Sequence, residues 1–181
     1  SDLDITRPGH KPNKGHLHLL TQVERDAKRI FMSMNFSVID GPELETEFYN
    51  FDALNLPDWH PAREAWDTFW IKDSGEKDRL LLRTHTSPVQ VRYMEQNKPP
   101  FQIVVPGRVF RYEATDATHE TNFAQLEGLM VGKDVSLANF KHVIIKFFEL
   151  FFKGQDVEFR FRPSYFPFVE PGVEVDMRFK G

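Results

Sequence analysis

The sequence predicts an α+β fold, an antiparallel β-sheet with helices packed on and around it. Apolar residues recur at helical spacing in long segments, while in others they alternate strictly with polar ones. The two kinds of segment interleave along a chain of 181 residues that is 40% hydrophobic and 28% charged, enough to bury a core.

Residues 1–16 read as irregular, being polar with Pro8, Pro12 and Gly15, and without an initiator Met they read as an internal cut through a longer protein. Over residues 17–34, Leu20, Val23, Ala27, Ile30, Phe31 and Met34 fall at helical period, with Glu24, Arg25, Lys28 and Arg29 between them. That helix should end near Asn35. A short strand over 36–39 then runs into Asp40-Gly41-Pro42-Glu43, and Pro57, His60 and Pro61 mark loop structure. Residues 65–71 (AWDTFWI) are aromatic enough for a strand, which would place Trp66 and Trp70 on one face. A charged turn over 72–79 leads to a short buried strand over 80–82.

Ser87-Pro88-Val89-Gln90 has the chemistry of a helix start: Ser at the N-cap, Pro at the first position and Gln as the reciprocal capping residue, opening a helix over 88–96. The apolar run 101–105 (FQIVV) is a strand that Pro106-Gly107 should punctuate. Residues 109–113 and 123–130 form a hairpin about the polar loop 114–122. Ser136 caps a helix over 137–153 whose face carries Phe140, Val143, Ile144, Phe147, Phe148 and Phe151, with Gly154 closing it. Residues 157–162 alternate core and wet positions, and 164–170 and 173–179 continue the strand pattern, broken by Pro167 and Pro171-Gly172.

The net charge of −4 argues against gripping nucleic acid by bulk electrostatics, so any RNA contact must be local or come from a partner. With no cysteine there is neither a disulfide framework nor a Cys-ligated zinc, which fits a reducing, cytoplasmic compartment. No apolar stretch approaches membrane-spanning length, so no membrane partner is expected. The histidines and carboxylates lack H-E-x-x-H or comparable spacing, and no glycine-rich phosphate loop or dinucleotide fingerprint occurs.

Chemistry concentrates in the central hairpin. Strand alternation puts Arg111 and Glu113 on one face, and Phe123, Gln125 and Glu127 on one face of the partner strand. Phe110, Tyr112, Ala124 and Leu126 take the opposite face. If that second set is core, the first is costly to bury without a ligand. The bland alternative is a solvated hairpin with an Arg111–Glu pair contributing about 0 to 1 kcal/mol. A guanidinium matches phosphate, carboxylates accept from an ammonium, and a ring stacks on a base. One face can therefore hold an amino acid and a nucleotide together. Phe166 and Phe168 fall on one face of an irregular strand, an arrangement that suits a phenyl-ring pocket.

At these residues the chain resembles a known family. Phe110-Arg111-Tyr112-Glu113, with His119 and Phe123 across a loop, resembles the second signature motif of class II aminoacyl-tRNA synthetases. Taken with RTHTSPVQVRYM (residues 83–94) and RPSYFPFVEPGVEVD (162–176), the resemblance covers almost the whole chain and is to the alpha subunits of bacterial phenylalanyl-tRNA synthetases. The early helix, strand and proline resemble the first motif, which in that family builds the subunit interface.

The resemblance implies a partial class II catalytic domain over residues 17–181. The family's N-terminal coiled-coil arm and its glycine-rich third motif, whose arginine meets ATP, have no counterpart in the sequence. It implies ATP-dependent activation of phenylalanine and transfer of the acyl group to tRNA(Phe), with Mg2+ and with a beta subunit in an α2β2 assembly. Arg111 would bridge the amino-acid carboxylate and the α-phosphate, Phe123 would stack on adenine and His119 would sit by the outer phosphates. His85, Ser87, Gln90, Glu113, Gln125 and Glu127 would hold the ammonium end, Trp66 would donate to the carboxylate, and Phe166 and Phe168 would line the ring pocket. Glu170 is implied as a magnesium ligand shared with the beta subunit. The rival reading is a non-catalytic, synthetase-like module that binds an amino acid or a partner subunit, against which stands the presence of Arg111, Glu113, His119, Phe123, Gln125 and Glu127 together. Lacking the third motif, these 181 residues alone should catalyse no aminoacylation and should self-associate.

Overall fold

The structure, a computed structural model, describes residues 6, 9, 14–72, 79–114, 116–117, 119–167 and 169–180, with the side chains of 64 and 65 excepted. Its centre is a hairpin of two ten-residue strands, β4 (Phe101–Phe110) and β5 (Asn122–Val131), paired from Phe101↔Val131 to Phe110↔Asn122. Strand β1 (Ser37–Val38) joins β4 on its other side in parallel. Two further antiparallel pairs complete the strands: β2 (Leu44–Thr46) with β3 (Leu80–Leu82), and β6 (Val157–Pro163) with β7 (Val173–Phe179). The antiparallel expectation thus holds at these pairings, and β1–β4 departs from it.

Pro106-Gly107 does not end the first strand as expected; β4 runs straight through it, with Pro106 opposite Leu126 and Gly107 opposite Gln125. The backbone groups of Val104, Arg108 and Phe110 bond to Ile39 and Arg83, on the side away from β5. Pro106 shares their parity, so its missing N–H falls on that side and costs the hairpin no ladder bond.

Helix α1 (Leu19–Ser33) stops for local reasons. Asn35 takes φ 67°, its N–H reaches the Met32 carbonyl at 3.0 Å, and the Phe36 N–H reaches the Phe31 carbonyl at 3.0 Å. This paired closure is completed by an apolar contact, the Phe31 and Phe36 rings meeting edge-on at 5.2 Å. Those rings and Val104 form a core with Leu126, Met130, Val143 and Phe147. Phe147 belongs to α5 (Leu137–Phe151), which the expected Ser136 cap opens, reciprocated by Asn139, and it stacks on Phe31 at 4.7 Å. Helices α1 and α5 therefore cover one face of the hairpin, each buried ring contributing about 1.5 to 3 kcal/mol. α5 ends earlier than expected, at Phe151 with Phe152 as its C-cap, the Phe152 N–H still reaching the Phe148 carbonyl, and Gly154 lies in the turn that follows with φ 87°. Beyond it, Phe148 and Phe140 of α5 approach Phe159 and Phe161 of β6.

The other face packs Ile103 and Val105 against Val89 of α4 (Ser87–Gln96), with Ile39, Tyr93 and Leu129 around them. The N-cap of this helix is Thr86 and not Ser87, and Thr86 makes no side-chain cap bond. The capping box expected from Ser87 and Gln90 is absent because both side chains are bonded elsewhere, as the site shows.

Residues 65–71 do not form the expected strand. After Pro61 the chain turns through the short helix α3 (Ala62–Ala65), and only Trp70 makes an isolated bridge, to Leu81. Both tryptophans still reach one ring, Trp66 at 6.1 Å and Trp70 at 6.2 Å from Phe51. Phe51 follows the single turn α2 (Glu47–Asn50) and is buried with Leu56, Ala62 and Leu81. Most of the expected charged turn, 73–78, lies outside the described residues. Among the described residues of 164–170 there is likewise no strand, only a tight turn in which the Val169 N–H bonds the Phe166 carbonyl at 3.2 Å. Pro167 cannot donate to a ladder, and the Ser164 carbonyl instead lies so close over Gly172 that a Cβ there would meet it at 2.0 Å.

Candidate functional site

The site is assembled by the loop Arg83-Thr84-His85-Thr86-Ser87, every residue of which is buried. A loop this polar survives burial only with its groups bonded. The Arg83 N–H bonds the Glu43 carbonyl and its own carbonyl accepts from the Phe110 N–H, both at 2.9 Å. Thr84 exchanges bonds with the buried Asn50, whose amide donates to the Thr84 hydroxyl at 3.0 Å and accepts from the Thr84 N–H at 3.2 Å.

His85 Nε2 lies 3.0 Å from the Asn50 carbonyl oxygen. A carbonyl only accepts, so Nε2 carries the proton. Burial, reinforced by the Arg111 charge, pushes the imidazole down to about 4, and it is neutral at physiological pH. Its ring packs against Trp66 at 4.9 Å between centroids.

Where the loop enters α4, the Glu127 carboxylate engages Ser87 and Gln90, the two side chains that the sequence assigned to helix capping, and does so as the acceptor. It accepts from the Ser87 hydroxyl at 2.7 Å, from Gln90 Nε2 at 2.5 Å and from the Thr86 N–H at 3.2 Å, the last shared with Gln125 Oε1. Burial raises the Glu127 carboxyl above its ordinary value, while these donors pull the other way. Glu127 thus caps α4 from another strand, its charge placed at the positive end of the helix. Ser87, Gln90, Gln125 and Glu127 come together as expected, with the first two already engaged in holding the last.

Arg111 leaves the end of β4 half-buried. Its Nε donates to the Thr84 carbonyl at 3.2 Å, Nη1 lies 4.0 Å from Glu113, and the guanidinium carbon is 5.0 Å from the centre of the Phe123 ring. With Glu113, His119, Glu120 and Phe123 it lines a pocket of about 330 Å3. His119 is exposed, its Nδ1 2.9 Å from Asp116, and that carboxylate raises the imidazole above its ordinary value. Phe123, Gln125 and Glu127 follow at two-residue spacing on one face of β5, so the pocket and the Glu127 cluster are consecutive stations along it. Chemically the strip offers a guanidinium and a ring at one end and a half-buried carboxylate with amide and hydroxyl groups at the other. It suits a ligand that is anionic and planar at one end and cationic at the other.

Other expected residues stand differently. Tyr112, placed with the core face, is 69% exposed, whereas Leu126 is packed as expected. Phe166 is 39% exposed at its turn, and Phe168 lies outside the described residues. Glu170 is exposed at a bend, and among the described residues no group of His, Cys, Asp or Glu side chains is placed to hold a metal ion. Sequence reasoning missed Arg83, Thr84, Thr86, Asn50 and Glu120. The available signal was the run of five polar residues, 83–87, that links the buried Leu81 strand to the first residue of the helix, too many for a surface turn beside two apolar elements.

Comparison with known proteins identifies the family. The family model for the class II tRNA synthetase core domain (F) matches residues 2–181. Phenylalanine–tRNA ligase alpha subunits are similar to the chain: that of Dehalococcoides mccartyi is 57% identical over 96% of this chain and 50% of its own length. That of Legionella pneumophila is 50% identical over 97% of this chain and 50% of its own, and that of Burkholderia thailandensis 49% over 98% and 53%. The chain therefore spans about half the length of the curated relatives it matches. Among solved structures, a pyrrolysyl tRNA synthetase of Desulfitobacterium hafniense superposes with a TM-score of 0.63 over 88% of this chain and 54% of its own, at 18% identity, a likeness of fold. With the family model covering almost every residue, the chain belongs to the class II tRNA synthetase core-domain family, type F.

Proposed function

We propose that the chain is the catalytic core of a phenylalanine–tRNA ligase alpha subunit, which joins phenylalanine to ATP as phenylalanyl-adenylate and then passes the acyl group to tRNA(Phe). The observation that carries this reading is the single strip on which Arg111 and Phe123 adjoin the half-buried Glu127 cluster. In this reading the amino-acid carboxylate attacks the α-phosphorus in line, the bond to the β-phosphate oxygen breaks, and pyrophosphate leaves. No covalent enzyme intermediate is needed, so catalysis is positioning and charge stabilisation.

Arg111 bridges the attacking carboxylate and the α-phosphate, its guanidinium already aimed by the Thr84 carbonyl. Phe123 stacks on adenine and His119 meets the outer phosphates. Glu127 receives the ammonium, with Glu113, Gln125 and neutral His85 around it, and Ser87 and Gln90 act by keeping Glu127 in place. Trp66 donates to the carboxylate, and Phe166 and Phe168 enclose the phenyl ring. Magnesium requires octahedral oxygen ligation, which one exposed Glu170 does not supply; an ion there would be completed by phosphate oxygens and by the beta subunit of an α2β2 enzyme.

The test is phenylalanine-dependent ATP–pyrophosphate exchange by the complete alpha and beta assembly. Exchange that is lost on Arg111→Ala supports the reading. Binding of phenylalanine and ATP without exchange would instead mark a non-catalytic synthetase-like module.

A further inference from the structure

Arg83 is 3% exposed, yet its guanidinium has carbonyl oxygens as hydrogen-bond partners: Nε donates to Arg108 at 2.8 Å, and Nη1 to Gly41 at 3.1 Å and Pro42 at 3.2 Å. Burial lowers its affinity for the proton, although Glu43, Glu45, Asp40 and Glu127 oppose that at longer range. Burying a charge this deeply is costly, so the arrangement needs a return.

The return is mechanical. The side chain grips β4 at Arg108, the main chain of the same residue grips β4 again at Phe110, and the next carbonyl, Thr84, receives Arg111 Nε. Meanwhile Nη1 and the Arg83 N–H tie this clip to residues 41–43. Gly107 completes it. A Cβ at that position would come within 2.1 Å of Arg83 Nη2, so the strand residue beneath the guanidinium has to be glycine. Its φ is not positive, so the requirement is space and not backbone conformation.

We infer that Arg83, seated on Gly107, is the positioning residue for Arg111: it fixes the end of β4 and the Thr84 carbonyl so that the Arg111 guanidinium is held before any substrate arrives. This rests on the adenylate-forming reading for its kinetic arm and on the chain alone for its structural arm.

The experiment uses the complete assembly with Arg83→Met, Gly107→Ala and Arg111→Ala, singly and with Arg83→Met combined with Arg111→Ala. Arg83→Met should lower kcat for pyrophosphate exchange about 10²-fold, the typical effect of a displacement of about 1 Å in a catalytic group, with a much smaller change in KM for phenylalanine. In the Arg111→Ala background the same change should have almost no further effect, because the positioned group is gone. Gly107→Ala keeps the charge but displaces it, and should act in the same direction; it serves should Arg83→Met fail to fold. A purely structural Arg83 would lower the melting temperature and leave kcat unchanged, or would add its full loss to that of Arg111→Ala; either result overturns the inference. A crystal structure of the folded variant supplies the arm that needs no activity. Loss of the Arg111–Thr84 hydrogen bond supports the inference, and its retention refutes it even if the enzyme acts on another amino acid.

Discussion

Acidification should weaken the fold through His85 in a defined pH window. Its imidazole is 3% exposed and pushed from 6.5 to about 4 by burial, with the Arg111 charge adding to the effect. On lowering pH the unfolded chain takes up this proton first. Stability from the neutral ring is therefore complete above pH 6.5, is lost as pH falls to about 4, and falls no further below that. At about 1.36 kcal/mol per pH unit, that window amounts to about 3 kcal/mol. Asp176, held at about 2 by Arg162 and Arg160, titrates below the window. Glu127, raised by burial, has the opposite sign: its fold-bound proton adds stability as pH falls. Comparison with His85→Gln, whose amide nitrogen can replace Nε2 at the Asn50 carbonyl, removes both of these contributions from the difference. Urea unfolding followed by tryptophan fluorescence between pH 7.5 and about 3.5 measures it. The wild-type chain should lose about 3 kcal/mol more than the variant over the window, and equal losses would refute the neutral, buried assignment.

Other residues give sharper functional outcomes. Arg111→Lys should cut pyrophosphate exchange about 10²- to 10³-fold at saturating phenylalanine, because a point ammonium cannot reproduce the planar fork; unchanged turnover removes Arg111 from the mechanism. Glu127→Gln should cost about 1.5 to 3 kcal/mol of stability, since the new amide group turns donors toward the Ser87 and Gln90 donors. In exchange assays it should raise KM for phenylalanine more than for ATP, and the reverse order would count against the ammonium role. Phe123→Ala should weaken ATP binding by about 1 to 3 kcal/mol, the usual worth of a base stacked on a ring, read as a rise in KM for ATP with KM for phenylalanine nearly constant.

What was legible in the sequence was what local chemistry decides. Ser136 before α5, Asn35 after α1 and the apolar face of α5 are short-range signals, and each helix formed at those positions, α5 ending two residues before the expected stop. Alternation also placed Phe123, Gln125 and Glu127 on one face, because the hairpin register preserves the two-residue period. The readings failed where a distant partner won. Ser87 and Gln90 have the spacing of a capping box, in which both side chains would accept from backbone N–H groups, but here both donate to a carboxylate in charge-assisted bonds, and Glu127 arrives from β5 across a sequence separation that no local rule sees. Gly107 read as punctuation because the sequence does not show that Arg83 lies across it. Pro106 passed through β4 because its missing N–H faces the side where β1 has already ended.

The central claim is that Arg111, Phe123 and the Glu127 cluster hold phenylalanine and adenylate as one ligand. Isothermal titration of the complete assembly with a non-hydrolysable phenylalanyl-adenylate analogue tests it most directly. The account predicts tight binding that is weakened by Arg111→Ala at the phosphate end and by Glu127→Gln at the ammonium end, in each case without loss of the fold. Binding indifferent to both substitutions, or no binding by a folded assembly, would contradict it.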